Sequence, residues 1–284
     1  MPRPHIEFVH AQNLAWDKGV LPDILGELEC KVLSMDDTNG SCSVILRYPA
    51  GWTRPSIEYL TCAHEFLVLD GAIEINGQHY GMDTYAYLPP GFTRKTTSSA
   101  NGAVILTFFY QNPETVPGNN EMEENPNAPA IPYINLHDIE WSVEGIDPDI
   151  VRGRHIAHKR LRHNPETGDT TFILEASPHF HPEGWKEKEL YHPCIEEMYL
   201  LSGDIRGPQG IINAGGYFWR PPNIWHGPFV SRMGYVGIFR FIDGHHVNIW
   251  SDHELESQLT PPHNPVLPDY LGGIASKPYS QTPY

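Results

Sequence analysis

Apolar residues come in short runs that either alternate with polar residues or are solidly apolar. Examples are Val44–Tyr48 (VILRY), Phe66–Leu69 (FLVL), Ile73–Asn76 (IEIN), Ala103–Tyr110 (AVILTFFY), Met198–Leu201 (MYLL) and Val236–Ile242 (VGIFRFI). A period of two, with turn formers between the runs, predicts many short strands. Only Leu21–Leu28 and Ser251–Leu259 have helix-like spacing, and both are short. The pattern therefore predicts an all-β chain of sandwiches or barrels rather than alternating strands and helices.

The runs also repeat. Ile6–Val9 followed by Trp16 matches Ile131–Ile134 followed by Trp141, and Gly40–Leu46 matches Gly168–Leu174. Pro49–Trp52 pairs with Pro182–Trp185, His64–Gly71 with Glu196–Gly203, and Tyr87–Arg94 with Trp219–His226. A duplicated unit fixes domain number better than length does. We expect one barrel over 1–125, a second over 126–256, and a Pro-rich tail over 257–284. The stretch 111–130, rich in turn formers and acids, reads as the linker or the tail of the first domain. The second copy gains a few residues before Pro182, among them His179 and His181.

The second copy carries the candidate chemistry. His192-Pro-Cys-Ile-Glu196 sets an imidazole and a carboxylate at the start of an apolar strand, and His226 closes a Pro-Pro-Asn-Ile-Trp-His turn. Two histidines and one carboxylate on a rigid scaffold suit non-haem Fe(II) with open positions, while Mn(II), Ni(II), Co(II) and Zn(II) also fit. His179 and His181 are candidate additional ligands. Tyr191, Trp219 and Trp225 are candidates for an aromatic pocket wall, and Arg220 could meet a substrate carboxylate. Cys194 reads as a small buried hydrophobe, and His245-His246 read as exposed, with no role assigned.

These residues carry a family resemblance. Gly184, five residues, Leu190-Tyr191-His192, three residues, Glu196, six residues and Gly203 resemble the first cupin motif. Gly215, five residues and Pro221-Pro222-Asn223-Ile224-Trp225-His226 resemble the second. With the repeat, the resemblance implies a bicupin, two tandem jelly-roll barrels, with one divalent metal on His192, Glu196 and His226. Leu190 stands where the family's first histidine would be, and Asn223 replaces a glycine. In the first copy the ligand places hold Ile57, Tyr59, His64 and Arg94; arginine stays charged and cannot ligate, so that barrel is expected to be metal-free.

Composition narrows the function further. A formal charge of −16 without a basic cluster argues against nucleic-acid and anionic-lipid partners. No run approaches the roughly 20 apolar residues of a membrane span, and MPRPHIEFVHAQ lacks a secretory pattern, so the expected address is the cytoplasm. Four scattered cysteines fit free thiols. Proline and glycine, 27 and 25 residues, support strands joined by turns. The leading functional expectation is a metal-dependent dioxygenase acting on a small chelating substrate, Fe(II) being the favoured ion. Two alternatives stand beside it. One is a redox-neutral isomerase, lyase or aminohydrolase in which Glu197 or Tyr199 moves a proton; the other is a non-catalytic, metal-stabilised binding protein. Edge strands and tails suggest a homodimer.

Overall fold

The computed structural model describes residues 2–21, 28–120, 129–274 and 284, apart from the side chain at 149. The helix-like stretch at 21–28, the centre of the linker and the end of the tail fall wholly or largely outside these. Two compact units result: one built mainly of Ala15–Ile139, the other of Pro4–Leu14 with Glu140–Tyr284. Among the described residues no helix is long and apolar enough to cross a membrane.

Strand β1 (Ile6–His10) comes first in the chain but pairs in the second unit. The first unit holds β2 (Glu29–Met35), β3 (Cys42–Tyr48), β4 (Trp52–Arg54), β5 (Glu58–Leu60), β6 (His64–Ile75), β7 (Gln78–Gly81), β8 (Thr84–Leu88), β9 (Thr97–Ser99), β10 (Ala103–Phe109), β11 (Thr115–Pro117) and β12 (Ile131–Asn135). Its main sheet runs β12-β8-β6-β10-β3-β2. The second unit holds β13 (Ile156–His163), β14 (Thr170–Ala176), β15 (Lys186–Tyr191), β16 (Ile195–Gly207), β17 (Gly210–Asn213), β18 (Gly216–Arg220), β19 (Tyr235–Ile242) and β20 (Ile249–Glu256). Its main sheet runs β1-β18-β16-β19-β14-β13, and β15 pairs with β20 to form a separate ribbon. The two orders match strand for strand, as a duplicated sequence requires. The opening strands are exchanged: β12, which begins the second repeat, completes the first sheet, and β1, which begins the first, completes the second.

Alternation sets the second core. Met198 and Leu200 on β16, Phe218 on β18, Phe239 and Phe241 on β19, Phe172 on β14 and Phe8 on β1 form one apolar cluster. Glycine is required where the barrels close: at Gly203 (φ 81°) an added Cβ would sit 1.9 Å from the Gly234 carbonyl oxygen, and at Gly71 (φ 67°) 2.1 Å from that of Gly102. Asn223 adopts the left-handed conformation itself (φ 65°), which is why it can replace the motif glycine.

Two local expectations change. Ser251–Leu259 is not helical: most of it lies in β20, whose backbone groups pair with β15, and ladder pairing overrides the chance helical spacing. A helix does form at Pro148–Arg154. Its signal is the pair Asp147-Pro148, a capping residue followed by a proline at the first helical position.

Candidate metal centre

His192, Glu196 and His226 converge in the second barrel, each offering one ligand atom within 4.8 Å of the others. The local fold explains this. His192 directly follows β15, Glu196 is the second residue of β16, and the backbone of His226 exchanges two hydrogen bonds with Leu190, which brings the second-motif turn onto the end of β15. All three side chains are buried.

The donor set fits a cation. Nδ1 of His192 lies 3.0 Å from the Val247 carbonyl oxygen and Nδ1 of His226 2.9 Å from that of Ile224. A carbonyl only accepts, so each ring places its proton on Nδ1 and leaves the Nε2 lone pair free for a metal. Those Nε2 atoms lie 3.8 Å and 3.5 Å from Oε2 of Glu196. Burial, reinforced by the Arg220 charge, lowers the His226 pKa to about 4. Burial alone would raise the Glu196 carboxyl, but Arg220 and the two imidazoles outweigh it and hold it at about 2. Near neutral pH, Glu196 is an anion and His226 is neutral, the forms a metal requires.

Arg220 organises the carboxylate. Its guanidinium, 2 % exposed, donates to Glu196 Oε2 at 2.6 Å and to both oxygens of Glu7 on β1, one at 2.6 Å. It also lies 3.7 Å from the centre of the Phe218 ring. Arg220 is therefore committed to the protein's own carboxylates rather than free for a substrate. Glu7 lies far away in sequence and reaches the centre only because β1 joins this sheet. That strand is held on its other edge by Val266 of the C-terminal segment, through paired backbone bonds of 2.7 Å.

The remaining sequence candidates separate cleanly. Glu197 and Tyr199 are buried on the opposite face of β16 from Glu196, because successive strand residues point to opposite sides. Glu197 there accepts from Tyr217 at 2.6 Å and from Arg240. Neither lines the cavity beside the triad. His179 hydrogen-bonds the Ser177 carbonyl at 2.7 Å, and His181 pairs with Glu187 at 3.1 Å while stacking on Trp185. Among the described residues neither joins the ligand cluster, and Leu190, in the place of the missing histidine, lines the cavity. Tyr191 packs edge-on against Trp225 at 4.6 Å, outside that lining. Trp219 points away because its neighbours Phe218 and Arg220 point in. Cys194 is buried, and burial raises its thiol to about 12.

A cavity of about 580 Å³ opens beside the triad. Phe172, Phe218, Phe239, Phe241 and Trp250 supply an aromatic wall, though not through the aromatics the sequence suggested. His246 also faces it, stacked on Phe241 at 3.7 Å and 4.8 Å from the His192 ring. Sequence reasoning assigned it no role, and its loop position offers no periodicity from which to infer one.

The first barrel is the natural control. There Arg94 fills the place of His226 and lies, through Nη2, 2.8 Å from Nδ1 of His64. Burial, then the Arg94 charge, holds the His64 pKa well below its usual value. The equivalent space shrinks to about 30 Å³, roughly one water's share of liquid.

The metal-free second barrel should be acid-sensitive. With the His226 pKa near 4 in the folded chain and near 6.5 unfolded, the unfolded chain binds the proton first. Stability is then present above pH 6.5 and lost as pH falls toward 4, by about 3 kcal/mol for 2.5 pKa units; Glu196 adds loss from 4.5 toward 2. Urea titrations at pH 7, 5.5 and 4 should show this slope in the metal-free protein and a shallower one in His226→Gln. Equal slopes would contradict the assignment.

Comparison with known proteins agrees with this architecture. Residues 6–113 match the sequence family described as the ChrR cupin-like domain. No curated protein sequence matches the chain. The crystal structure of a candidate dioxygenase from Nostoc punctiforme is similar at a TM-score of 0.75 and 18% identity, covering 89% of this chain and 92% of that one. An oxalate decarboxylase aligns at 0.53 and 14% identity over 87% and 80% of the two chains, and a variant of the Bacillus subtilis oxalate decarboxylase at 0.51 and 14% over 86% and 79%. At such identities the likeness speaks to fold. The chain is accordingly an all-β protein of two units with matching strand order, similar to the ChrR cupin-like domain over 6–113, sharing its fold with these structures and carrying a convergent His-Glu-His cluster in its second unit.

Proposed function

We propose that the second barrel is a mononuclear metal-dependent enzyme centre, and that its chemistry is that of a dioxygenase acting on a small chelating organic substrate. The observation that carries this reading is the three-ligand set with Nδ1-anchored imidazoles, beside an aromatic cavity that leaves one side of the cluster open. A divalent ion bound there would supply Lewis acidity and, as iron, redox chemistry with O₂.

The chain's own residues define what surrounds it. His192, Glu196 and His226 would hold the ion, Arg220 fixes the Glu196 carboxylate, and the phenylalanine wall keeps bulk water away from the substrate's reacting end. Glu197 and Tyr199, the groups a redox-neutral mechanism would have used, face the other side of the sheet. Apart from Glu196, Asp147 is the one carboxylate lining the cavity among the described residues. This favours oxygen chemistry over carboxylate-driven proton transfer. His246 sustains a second reading, an isomerase or lyase, because its ring faces the cavity where it could carry a proton.

Elemental analysis of protein purified without chelators should find near-stoichiometric metal in the wild type and little in His226→Ala. Iron together with substrate-dependent oxygen uptake supports the dioxygenase. Turnover that persists unchanged under argon transfers the assignment to the redox-neutral class, and absence of any metal removes both.

A further inference from the structure

We infer that the second-barrel cavity selects a two-ended organic anion: one end chelates at His192, Glu196 and His226, a flat apolar body lies on the phenylalanine wall, and a distal carboxylate or similar anionic group meets Lys188 and Arg160. The inference rests on the metal reading above and adds the substrate's far end.

Strand β15 shows how the two ends are spaced. Alternate residues share a face, and Lys188, Leu190 and His192 all line the cavity. At a rise of about 3.3 Å per residue, the Lys188 backbone lies roughly 13 Å from that of His192. The sheet gives the same scale in the perpendicular direction. Glu196 on β16 pairs with Phe241 on β19, Phe241 with Thr170 on β14, and the next row runs Met198, Phe239, Phe172, Arg160. Arg160 on β13 is thus three strands from the triad's strand, about 14 Å at a spacing near 4.8 Å. Long side chains cover part of both spans. What remains suits one aromatic ring with a short side chain, and about 580 Å³ lies within the usual range for a pocket that encloses such a ligand.

Charge distinguishes this end of the cavity. Both Arg160 and Lys188 are exposed, and among the described residues neither is in an ion pair. Arg154, also at the lining, is already engaged by Glu187 at 3.3 Å. Among the described lining residues at this end Asp147 is the one acid, and Glu254 stands across the ladder from Lys188. On a chain of formal charge −16, two uncommitted cations at a cavity mouth are the local exception that can attract and orient an anion. The wall between is a run of stacked rings, with Phe218 standing at 70° to Phe239. Phe172 and Phe239 are nearly parallel (9°, 6.0 Å), as are Phe172 and Phe241 (23°, 5.8 Å), and His246 continues the stack on Phe241 at 11°. Such an aromatic surface suits a ring, which can stack on or meet its neighbours edge-on.

The test uses 3,4-dihydroxycinnamate and its methyl ester, which share a chelating head and ring and differ only in the charge of the tail. Binding to the metal-containing protein is followed by quenching of tryptophan fluorescence, Trp250 being part of the lining. The acid should bind about tenfold more tightly than the ester at low salt, as a charge-assisted contact provides, and 0.5 M salt should narrow the gap. The double variant Lys188→Glu/Arg160→Glu should abolish the preference while leaving the ester's affinity within about twofold. Lys188→Met/Arg160→Met repeats the test without added charge. Both residues are exposed, so folding should survive, and circular dichroism checks it. Equal affinities in the wild type, or a preference that both double variants retain, would overturn the inference. Ester binding that is indifferent to His226→Ala and to chelator would instead overturn the metal reading, so the two failures are separable.

Discussion

Replacing Arg220 with methionine is expected to destabilise the second barrel by about 3–5 kcal/mol, the usual cost of removing one partner from a buried ion pair. Methionine fills much of the same space and can still pack on Phe218, so the cost comes from charge rather than from a hole. Glu7 and Glu196 would both remain buried with no cation between them. In the native protein burial raises the Glu7 pKa, Arg220 together with His5 and His226 outweighs it, and the net shift is downward. Without Arg220 burial prevails, and both carboxyls rise above the ordinary value. The pH dependence of the substitution follows. A raised carboxyl is less costly in acid, so the gap between variant and wild type should narrow as pH falls from 7 to 5. Adding Glu7→Gln should recover part of the loss, a coupling that a double-mutant cycle in urea measures. A cost below 1 kcal/mol, or additive effects of the two substitutions, would contradict the clamp.

The doubled all-β architecture is legible in the sequence because duplication preserved strand spacing around fixed turn residues, and side-chain period alone distinguishes strand from helix in such runs. The triad is legible for a related reason. His192 and Glu196 are close in sequence, and Gly215 to His226 fixes the second-motif turn, so the three converging side chains lie within two short windows. Glu7 is not legible. It acts on Arg220 across most of the chain, and only the exchange of β1 and β12 brings it there, a choice that the nearly equivalent strands of two repeats leave open. The pocket aromatics differ from the sequence expectation for a reason of parity. Taking Arg220 and Trp219 as facing one cavity breaks the alternation of a strand; once Arg220 points in, Phe218 must and Trp219 cannot. The same rule separates Glu196 from Glu197. His246 lies in a loop with no repeat to fix its direction, and sequence carries no comparable signal for it.

Metal should stabilise only the second barrel, and by an amount that the three ligands set. A ligand bound by the folded state alone contributes RT ln(1 + [L]/Kd), about 2.7 kcal/mol at a free metal concentration of 100 Kd. For a unit of this size each kcal/mol moves the midpoint by roughly 2–4 °C, so a shift of about 5–10 °C is expected. Glu196→Gln keeps the shape but gives up the anion, and His226→Ala removes one Nε2 donor; either should reduce the shift to within about 2 °C at the same metal concentration. The first barrel supplies the internal reference. Its equivalent position holds the Arg94 guanidinium against His64, which repels a cation and leaves about 30 Å³. Calorimetry should therefore show one transition that responds to metal and one that does not, or a merged transition whose response disappears in Glu196→Gln. Equal metal response in wild type and Glu196→Gln would mean that the ion binds elsewhere and that the cluster serves packing alone. Because Arg220 donates to Glu196, its loss should weaken metal affinity by about 10–100-fold as well as lowering stability, the range found for partners that orient a ligand. Metal affinity that survives in Arg220→Met would limit Arg220 to neutralising buried charge.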